Sequence, residues 1–402
     1  MPKPPASLRS SLRRALLAAL GAALAVPSAE AAPALPERDD VVLEELPAPA
    51  AGAARELRDL RAALARDPRN AALAVRLARR YLELGRAESD PRYFGWAEGC
   101  LTPWERSEDP PLEVLLLRAT LRQSRHAFAE ALADLDALLA RDPRSAQAWL
   151  TRALILQVRG DPASARRSCM PLLRLASGLM AVSCLANAES LAGRAEAAAT
   201  TLRRALESTP RAATPERVFA LTSLAEICIR LDRSDEALRL LSEALALAPR
   251  DAYLLAARAD LLLDRGRPRD VLALLGDATR IDGLLLRVAL AEAQLRDPAL
   301  DGHREELRAR FAATRLRGDT LHLGEESRFA LALLGDADEA LRLAQANFAQ
   351  QREPRDARAL LEAALAAGSA PAAEPALALL RETSLEDARL ARLAARIEAL
   401  RR

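Results

Sequence analysis

Alanine returns at a fixed interval along the middle of this chain. Ala119 and Ala153, Ala131 and Ala165, and Ala225 and Ala259 are each 34 residues apart. A constant interval of that length means one supersecondary unit repeated, where no unit buries its apolar face alone and each needs a neighbour. From about residue 55 the apolar residues recur with helical period. Breaks at Gly or Asp-Pro arrive roughly every 12–18 residues, which is the spacing of helical hairpins. The 402 residues also exceed the roughly 250–300 that one hydrophobic core accommodates, and a quasi-one-dimensional stack resolves that difficulty. Composition points the same way. Half the residues are apolar but only 3% are aromatic, Ala, Leu, Arg and Glu dominate, and clusters of β-branched and aromatic residues are nearly absent, so the expected class is all-α.

The N-terminus reads as an address. Lys3, Arg9, Arg13 and Arg14 make a positive n-region, Ala15 to Val26 an apolar stretch of 12 residues, and Ala29-Glu30-Ala31 a small-x-small cleavage site. Residues 1–31 are therefore expected to be a Sec-type signal peptide. The alternative, a retained anchor, needs about 20 apolar residues; Arg13-Arg14 alone matches the twin-arginine signal poorly. Cleavage would move the formal net charge from +2 to about −1, and Lys3 is the only lysine. A near-neutral mature chain lacks the basic stripe that phosphate neutralisation requires, so nucleic acid is not an expected partner, and no membrane span is expected after cleavage. Residues 32–52, rich in Pro and Ala with acidic pairs at Asp39-Asp40 and Glu44-Glu45, read as a disordered tether. The expected location is periplasmic or secreted.

The frame of the repeat can be followed through four units. From Leu112 it has Leu115, Ala119, Ala131, Leu135 and Pro143; from Ala146, Trp149, Ala153 and Ala165, with Cys169 where a large apolar residue is due; from Leu179, Val182, Ala186, Gly193, Ala198, Leu202, Ala205 and Pro210; from Val218, Leu221, Ala225, Ala237, Leu241, Ala244 and Pro249. Small residues let paired helices approach, large ones fill the groove to the next helix, and Pro ends the second helix. With small residues at positions 8 and 20, large ones at 4 and 24 and Pro at 32, this pattern resembles the tetratricopeptide-repeat (TPR) family. The resemblance implies a right-handed α-solenoid of stacked antiparallel helical hairpins, a TPR-like superhelix. The clearest units fall within 112–249 of a stretch covering 53–281, followed by degenerate hairpins over 282–384 and a capping helix over 385–402. Ala53 to Arg66 is expected to cap the other end. Ala78, Tyr81, Leu82 and Gly85 fit a first helix, but Glu88 to Phe94 and Asp297 to His303 read as insertions.

The resemblance also implies where a ligand would lie, on the concave face formed by the first helix of each repeat. The positions it selects are Arg79, Glu113, Thr120, Gln147, Leu150, Gln157, Asn187, Thr222, Glu226, Tyr253 and Asp260. Polar groups mixed with Leu150, Phe219 and Tyr253 would suit a partner peptide or helix. A solvated face is the plain alternative. The subtype that clamps a terminal carboxylate with Lys and Asn is disfavoured, because no lysine follows Lys3 and the fork of Arg79 presents a different geometry.

Catalytic signatures are missing from the sequence. His126, His303 and His322 are the only histidines, and none has a partner at metal-ligand or catalytic spacing; His303-Arg304-Glu305-Glu306 reads as surface near a helix start. Leu323-Gly324 and Gly335-Asp336 lack the repeated glycines of a phosphate loop, and Phe311 stands alone in the stretch 282–320, where a sugar site would want aromatic faces. No cofactor and no metal are expected. Cys100, Cys169, Cys184 and Cys228 contain no CxxC; Cys169 and Cys184 fall on adjacent helices and could pair, while small buried thiols are the other reading. The expectation is a non-catalytic scaffold or adaptor of the cell envelope, binding a protein or peptide in its groove. The runner-up is a structural subunit that oligomerises through its outer ridges.

Overall fold

A computed structural model of the chain describes residues 38, 51–88, 90–276 and 278–401. The expected signal peptide, and the tether apart from Arg38, Ala51 and Gly52, lie outside the described residues. The body considered below is the compact unit Ala48–Arg402. It contains no strand among the described residues. Helix α1 (Ala51–Arg66) precedes a run of hairpins: α2 (Ala71–Glu88) with α3 (Arg92–Leu101), α4 (Leu112–Ser124) with α5 (Phe128–Arg141), α6 (Ala146–Val158) with α7 (Pro162–Cys169). After the single turn α8 (Leu172–Leu175) come α9 (Gly178–Ser190) with α10 (Ala195–Ser208), α11 (Thr214–Arg230) with α12 (Ser234–Leu247), and α13 (Ala252–Asp264) with α14 (Pro268–Leu275). The run finishes with α15 (Asp282–Leu295) and α16 (Leu300–Leu316), α17 (Leu323–Phe329) and α18 (Ala337–Gln350), α19 (Pro354–Ala366) and α20 (Glu374–Thr383), and the last helix α21 (Ala388–Leu400).

One device shapes the hairpins from α4 onward. Each first helix ends on a residue with left-handed backbone: His126, Gly160, Gly193, Asp232, Gly266, Arg296, Gly335 and Gly368. The next amide then reaches back past the last turn, as Ala127 N–H does to the Arg122 carbonyl (2.9 Å), Arg233 to Cys228 (2.8 Å) and Arg267 to Leu262 (2.9 Å). This 6→1 bond closes carbonyls that the helix leaves open and turns the chain by a fixed angle into the second helix. The small residues named from the sequence sit at the contact it creates. Ala119, Ala131, Ala153, Ala165, Ala225, Ala237 and Ala259 are all fully buried, and Leu135, Leu202 and Leu241 fill the groove beside them. Where the frame has Cys169 in place of such a residue, its sulfur is bonded to that of Cys184 on α9, with the Cα atoms 5.6 Å apart, joining α7 to the next hairpin. Cys100 and Cys228 are buried free thiols, pushed up to about 11 and about 12 by burial.

Three sequence expectations are corrected. The tether does not extend to residue 52, because α1 already includes Ala51 and Gly52. The stretch Glu88 to Phe94 is not an insertion: α2 runs to Glu88 and α3 starts at Arg92. Asp90 makes so short a link possible by accepting the Arg92 amide (3.0 Å), and a Cβ at Gly85 would stand 3.1 Å from both Tyr93 and Phe94. Asp297 to His303 is likewise no insertion: a tight turn over 297–299, with Asp297 accepting the Ala299 amide (2.9 Å), leads into α16, and His303 lies inside that helix with Nδ1 2.9 Å from the buried Glu292.

Two glycine substitutions separate backbone strain from crowding. At Gly266 (φ 64°) a Cβ would meet open space, whereas at Gly193 (φ 72°) it would lie 2.9 Å from the Ser384 carbonyl oxygen. Gly266→Ala should cost about 1 kcal/mol from the left-handed backbone alone, and Gly193→Ala about 1–2 kcal/mol more, measured by urea unfolding.

Candidate interaction face

The first helices of successive hairpins share one face, and their side chains meet across it. Asn187 of α9 donates to Ser223 of α11 (3.2 Å), buried Arg230 of α11 donates to Ser190 of α9 (2.5 Å), and Tyr253 of α13 donates its hydroxyl proton to Glu226 of α11. The positions chosen from the sequence divide into two groups along this face.

The N-terminal group remains accessible. Arg79 and Glu113 face each other across α2 and α4 at 3.3 Å, with about half or more of each side chain exposed. They line a shallow pocket of about 390 Å³ with Glu56, Arg76, Arg80 and Glu83. Gln147 is exposed and reaches Thr151 (3.3 Å); Leu150 is half-buried, and half-buried Thr120 turns its hydroxyl back to the Leu116 carbonyl (2.8 Å).

The C-terminal group is engaged by the chain itself. Gln157 and Asn187 are buried, contrary to their expected place on an open surface, and Thr222 bonds its own helix at the Val218 carbonyl (2.7 Å). The Tyr253 ring remains exposed, with the Arg355 guanidinium of α19 5.9 Å from its centre. Burial pushes up both the Glu226 carboxyl and the Tyr253 hydroxyl. Asp260 is held in an ionic network, with Arg287 of α15 at 2.7 Å and Arg328 of α17 at 2.5 Å. Arg287 also meets Glu325 at 3.1 Å, and Glu325 meets His322 at 3.2 Å. Burial works against the charge on Asp260, but Arg287 and Arg328 outweigh it and hold the carboxyl below the usual carboxylate range. The sequence offered no sign of this network, because its members are spread from residue 260 to residue 328 and periodicity reports only neighbours in one helix.

The chain returns to this stack along one edge. Gln351 Nε2 lies 3.3 Å from Nδ1 of His126, the Arg352 amide donates to the Val158 carbonyl (2.7 Å), and Glu386 accepts the Ala195 amide (2.8 Å). Arg392 meets Asp232 at 3.1 Å, while Arg358 and Arg389 both meet Asp264, at 2.7 and 3.1 Å. These contacts fall at or beside the turns of five consecutive hairpins, those at residues 126, 160, 193, 232 and 266. Turn geometry and its near-34-residue recurrence settle the architecture. The fold is a TPR-like α-solenoid.

No family model matches the sequence, and no curated protein matches it. Among solved structures, a tetratricopeptide repeat protein from Parabacteroides merdae is 16% identical, with a TM-score of 0.37 over 71% of this chain and 98% of its own. The Cut9-Hcn1 hetero-tetramer of APC/C gives 16% and 0.45 over 86% and 75%. The human IFIT1 dimer with m7Gppp-AAAA gives 12% and 0.46 over 87% and 86%. Likenesses this distant add nothing about function, and the assignment of the TPR-like fold rests on the hairpins of this chain. Among the described residues no group of three or more His, Cys, Asp or Glu is placed to hold a metal, and no helix is long and apolar enough to cross a membrane.

The ionic network predicts that Asp260 acts on stability. Asp260→Ala leaves Arg287 and Arg328 without their shared carboxylate and should cost about 2–4 kcal/mol in urea unfolding. A second prediction concerns Asp356, at the start of α19, which accepts from Asn347 (2.8 Å) and from the Glu353 amide (2.9 Å). Burial raises its carboxyl to about 6 despite the Arg355 charge. A carboxyl raised above its unfolded value of about 4 stabilises the fold most at low pH, and that contribution disappears as pH climbs from about 4 through about 6. The stability difference between wild type and Asp356→Asn should therefore shift against wild type by about 2 kcal/mol between pH 4 and pH 7, measured by unfolding at each pH.

Proposed function

We propose that this protein is a non-catalytic interaction scaffold of the cell envelope, holding a peptide or helix of a partner protein against the N-terminal half of its groove. The observation that carries the reading is the division of the shared face. Arg79, Glu113, Gln147 and Leu150 follow one another along three successive first helices and stay accessible, while farther along Gln157 and Asn187 are buried and Glu226, Tyr253 and Asp260 are bonded to neighbouring helices, Tyr253 with its ring still exposed. An accessible face with both charge signs and a half-buried leucine suits an amphipathic segment, which pairs its charges at the rim and sets apolar side chains against the helices. The envelope location is supported by the leader-like composition of residues 1–31. The scarcity of imidazoles and the absence of a phosphate loop in the sequence support a role without catalysis.

The test is site-specific photo-crosslinking in cells that export the protein. A crosslinker at Arg79 or Gln147 should capture one discrete envelope protein, and one at Asp260 should capture none. Glu113→Arg should lower the yield from Gln147 about fivefold, equivalent to about 1 kcal/mol. Capture from Asp260 with none from Arg79 or Gln147 would overturn the assignment.

A further inference from the structure

At the seam where the chain returns to its own earlier turns, one contact continues inward as a file of four side chains. His126 ends α4 with left-handed backbone (φ 58°), and its ring lies at 19° to that of Phe128, with the centroids 5.4 Å apart. So held, its Nδ1 is 3.3 Å from Nε2 of Gln351, a residue 225 positions away in the chain. Gln351 Nε2 also donates to Oδ1 of Asn347 (3.3 Å), and Asn347 Nδ2 donates to Oδ1 of Asp356 (2.8 Å). The other oxygen of Asp356 accepts the Glu353 amide (2.9 Å). Asn347, Gln351 and Asp356 are all buried. A titratable group thus stands at each end of the file, with two carboxamides between them.

The direction of these hydrogen bonds is dictated from one end. An ionised carboxylate only accepts, so Asn347 must turn its nitrogen to Asp356 and its oxygen to Gln351. Gln351 must then present its nitrogen, whose two protons go one to Asn347 and one to His126. Nδ1 of His126 is left the role of acceptor, and the neutral imidazole carries its proton on Nε2. An imidazolium there would set N–H against N–H. Protonation of Asp356 lifts the constraint: its hydroxyl donates to Asn347, both carboxamides turn over, and Gln351 offers its oxygen to Nδ1–H of His126. Turning over exchanges O for NH2 in nearly the same volume. The backbone stands still meanwhile, fixed by the Arg352 amide on the Val158 carbonyl (2.7 Å).

We propose that His126 and Asp356 are the two ends of one proton switch, coupled through Gln351 and Asn347, in which a proton on either end favours a proton on the other. The surroundings bring the two ends toward the same pH. Burial raises the Asp356 carboxyl to about 6, with Glu353 acting in the same sense and Arg355 against it. Burial lowers the His126 imidazole, reinforced by Arg355 and His322 and opposed by Glu353 and Asp319. Acidification therefore raises the charge at both ends over one narrow interval, at the turn between α4 and α5 and in the first turn of α19. The response to pH becomes a step, placed where the first half of the stack meets the last.

Direct charge interaction has the opposite sign, because an Asp356 carboxylate favours an imidazolium. Asp356→Asn in the full chain separates the two effects. The introduced carboxamide must meet the Glu353 amide with its oxygen, so it turns its nitrogen to Asn347 and holds the file in the reversed setting. Nitrogen-15 NMR of histidine-labelled protein reads both tautomer and midpoint, and the spectra of His303→Gln and His322→Gln identify the His126 signals. Neutral wild type is expected to carry its imidazole proton on Nε2. Asp356→Asn should move it to Nδ1 and raise the His126 midpoint by about one pH unit, the scale of one reoriented hydrogen bond. The same substitution in an Asn347→Leu background, where the file is cut, should give no rise. A midpoint that falls or stays in Asp356→Asn overturns the switch, as do a rise that persists in Asn347→Leu and an Nδ1 proton in neutral wild type. If Asp356→Asn does not fold, the wild-type titration decides: a His126 transition steeper than a single-site curve supports the coupling, and one equally shallow or shallower overturns it.

Discussion

Close approach of two helices at an alanine, fixed by a left-handed turn, is the contact on which the rest of this molecule depends. An interior alanine brings little apolar area, so its value is geometric: it allows the paired backbones near enough for the flanking leucines to interlock. The turn residue sets the angle at which the second helix leaves, and the 6→1 bond satisfies helix-end groups that would otherwise be unpaired. Repetition of this pair of constraints gives every hairpin nearly the same relation to the next. A stack of near-identical steps must then curve by a set amount, and its first helices must share a face.

Curvature has a consequence at the far end of the stack. Because the hairpins keep turning, the final helices arrive beside the turns of earlier ones, where they meet helix ends and loop residues, not apolar faces. Contact there is made by guanidinium groups reaching Asp232 and Asp264 and by single hydrogen bonds at Val158 and Ala195. Interfaces of this composition contribute modestly to stability and respond to ionic strength. The protein thus joins a set of nearest-neighbour apolar cores to one long-range contact made largely of ion pairs and single hydrogen bonds.

Charge is handled differently at the two ends of the shared face. Arg79 and Glu113 sit in water, where their pairing has little worth and either group can exchange its partner for another. Asp260, Arg287, Arg328 and Glu325 form a half-buried network in which each charge depends on the others. The same residue types on successive first helices are therefore left to solvent in one region and tied into the fold in the other. Exposure decides which.

Helix content, hairpin spacing and the buried alanines were legible in the sequence, because period and side-chain size are local properties: Ala119, Ala153 and Ala225 are buried for the same reason that they recur. The shared face could be listed from the repeat frame for the same reason. Its division could not. Gln157 and Asn187 read as groove residues, yet both are buried, Asn187 against Ser223 of the next first helix. Glu88 to Phe94 and Asp297 to His303 read as insertions, since charge and proline mark a turn without giving its length. The ionic network of Asp260 and the seam at Asp264 join residues about 70 to 125 apart in the chain, a separation at which periodicity carries no information. Local chemistry determines the repeating step; where the accumulated curve returns the chain upon itself is a sum over all the steps, and only the tertiary structure decides it.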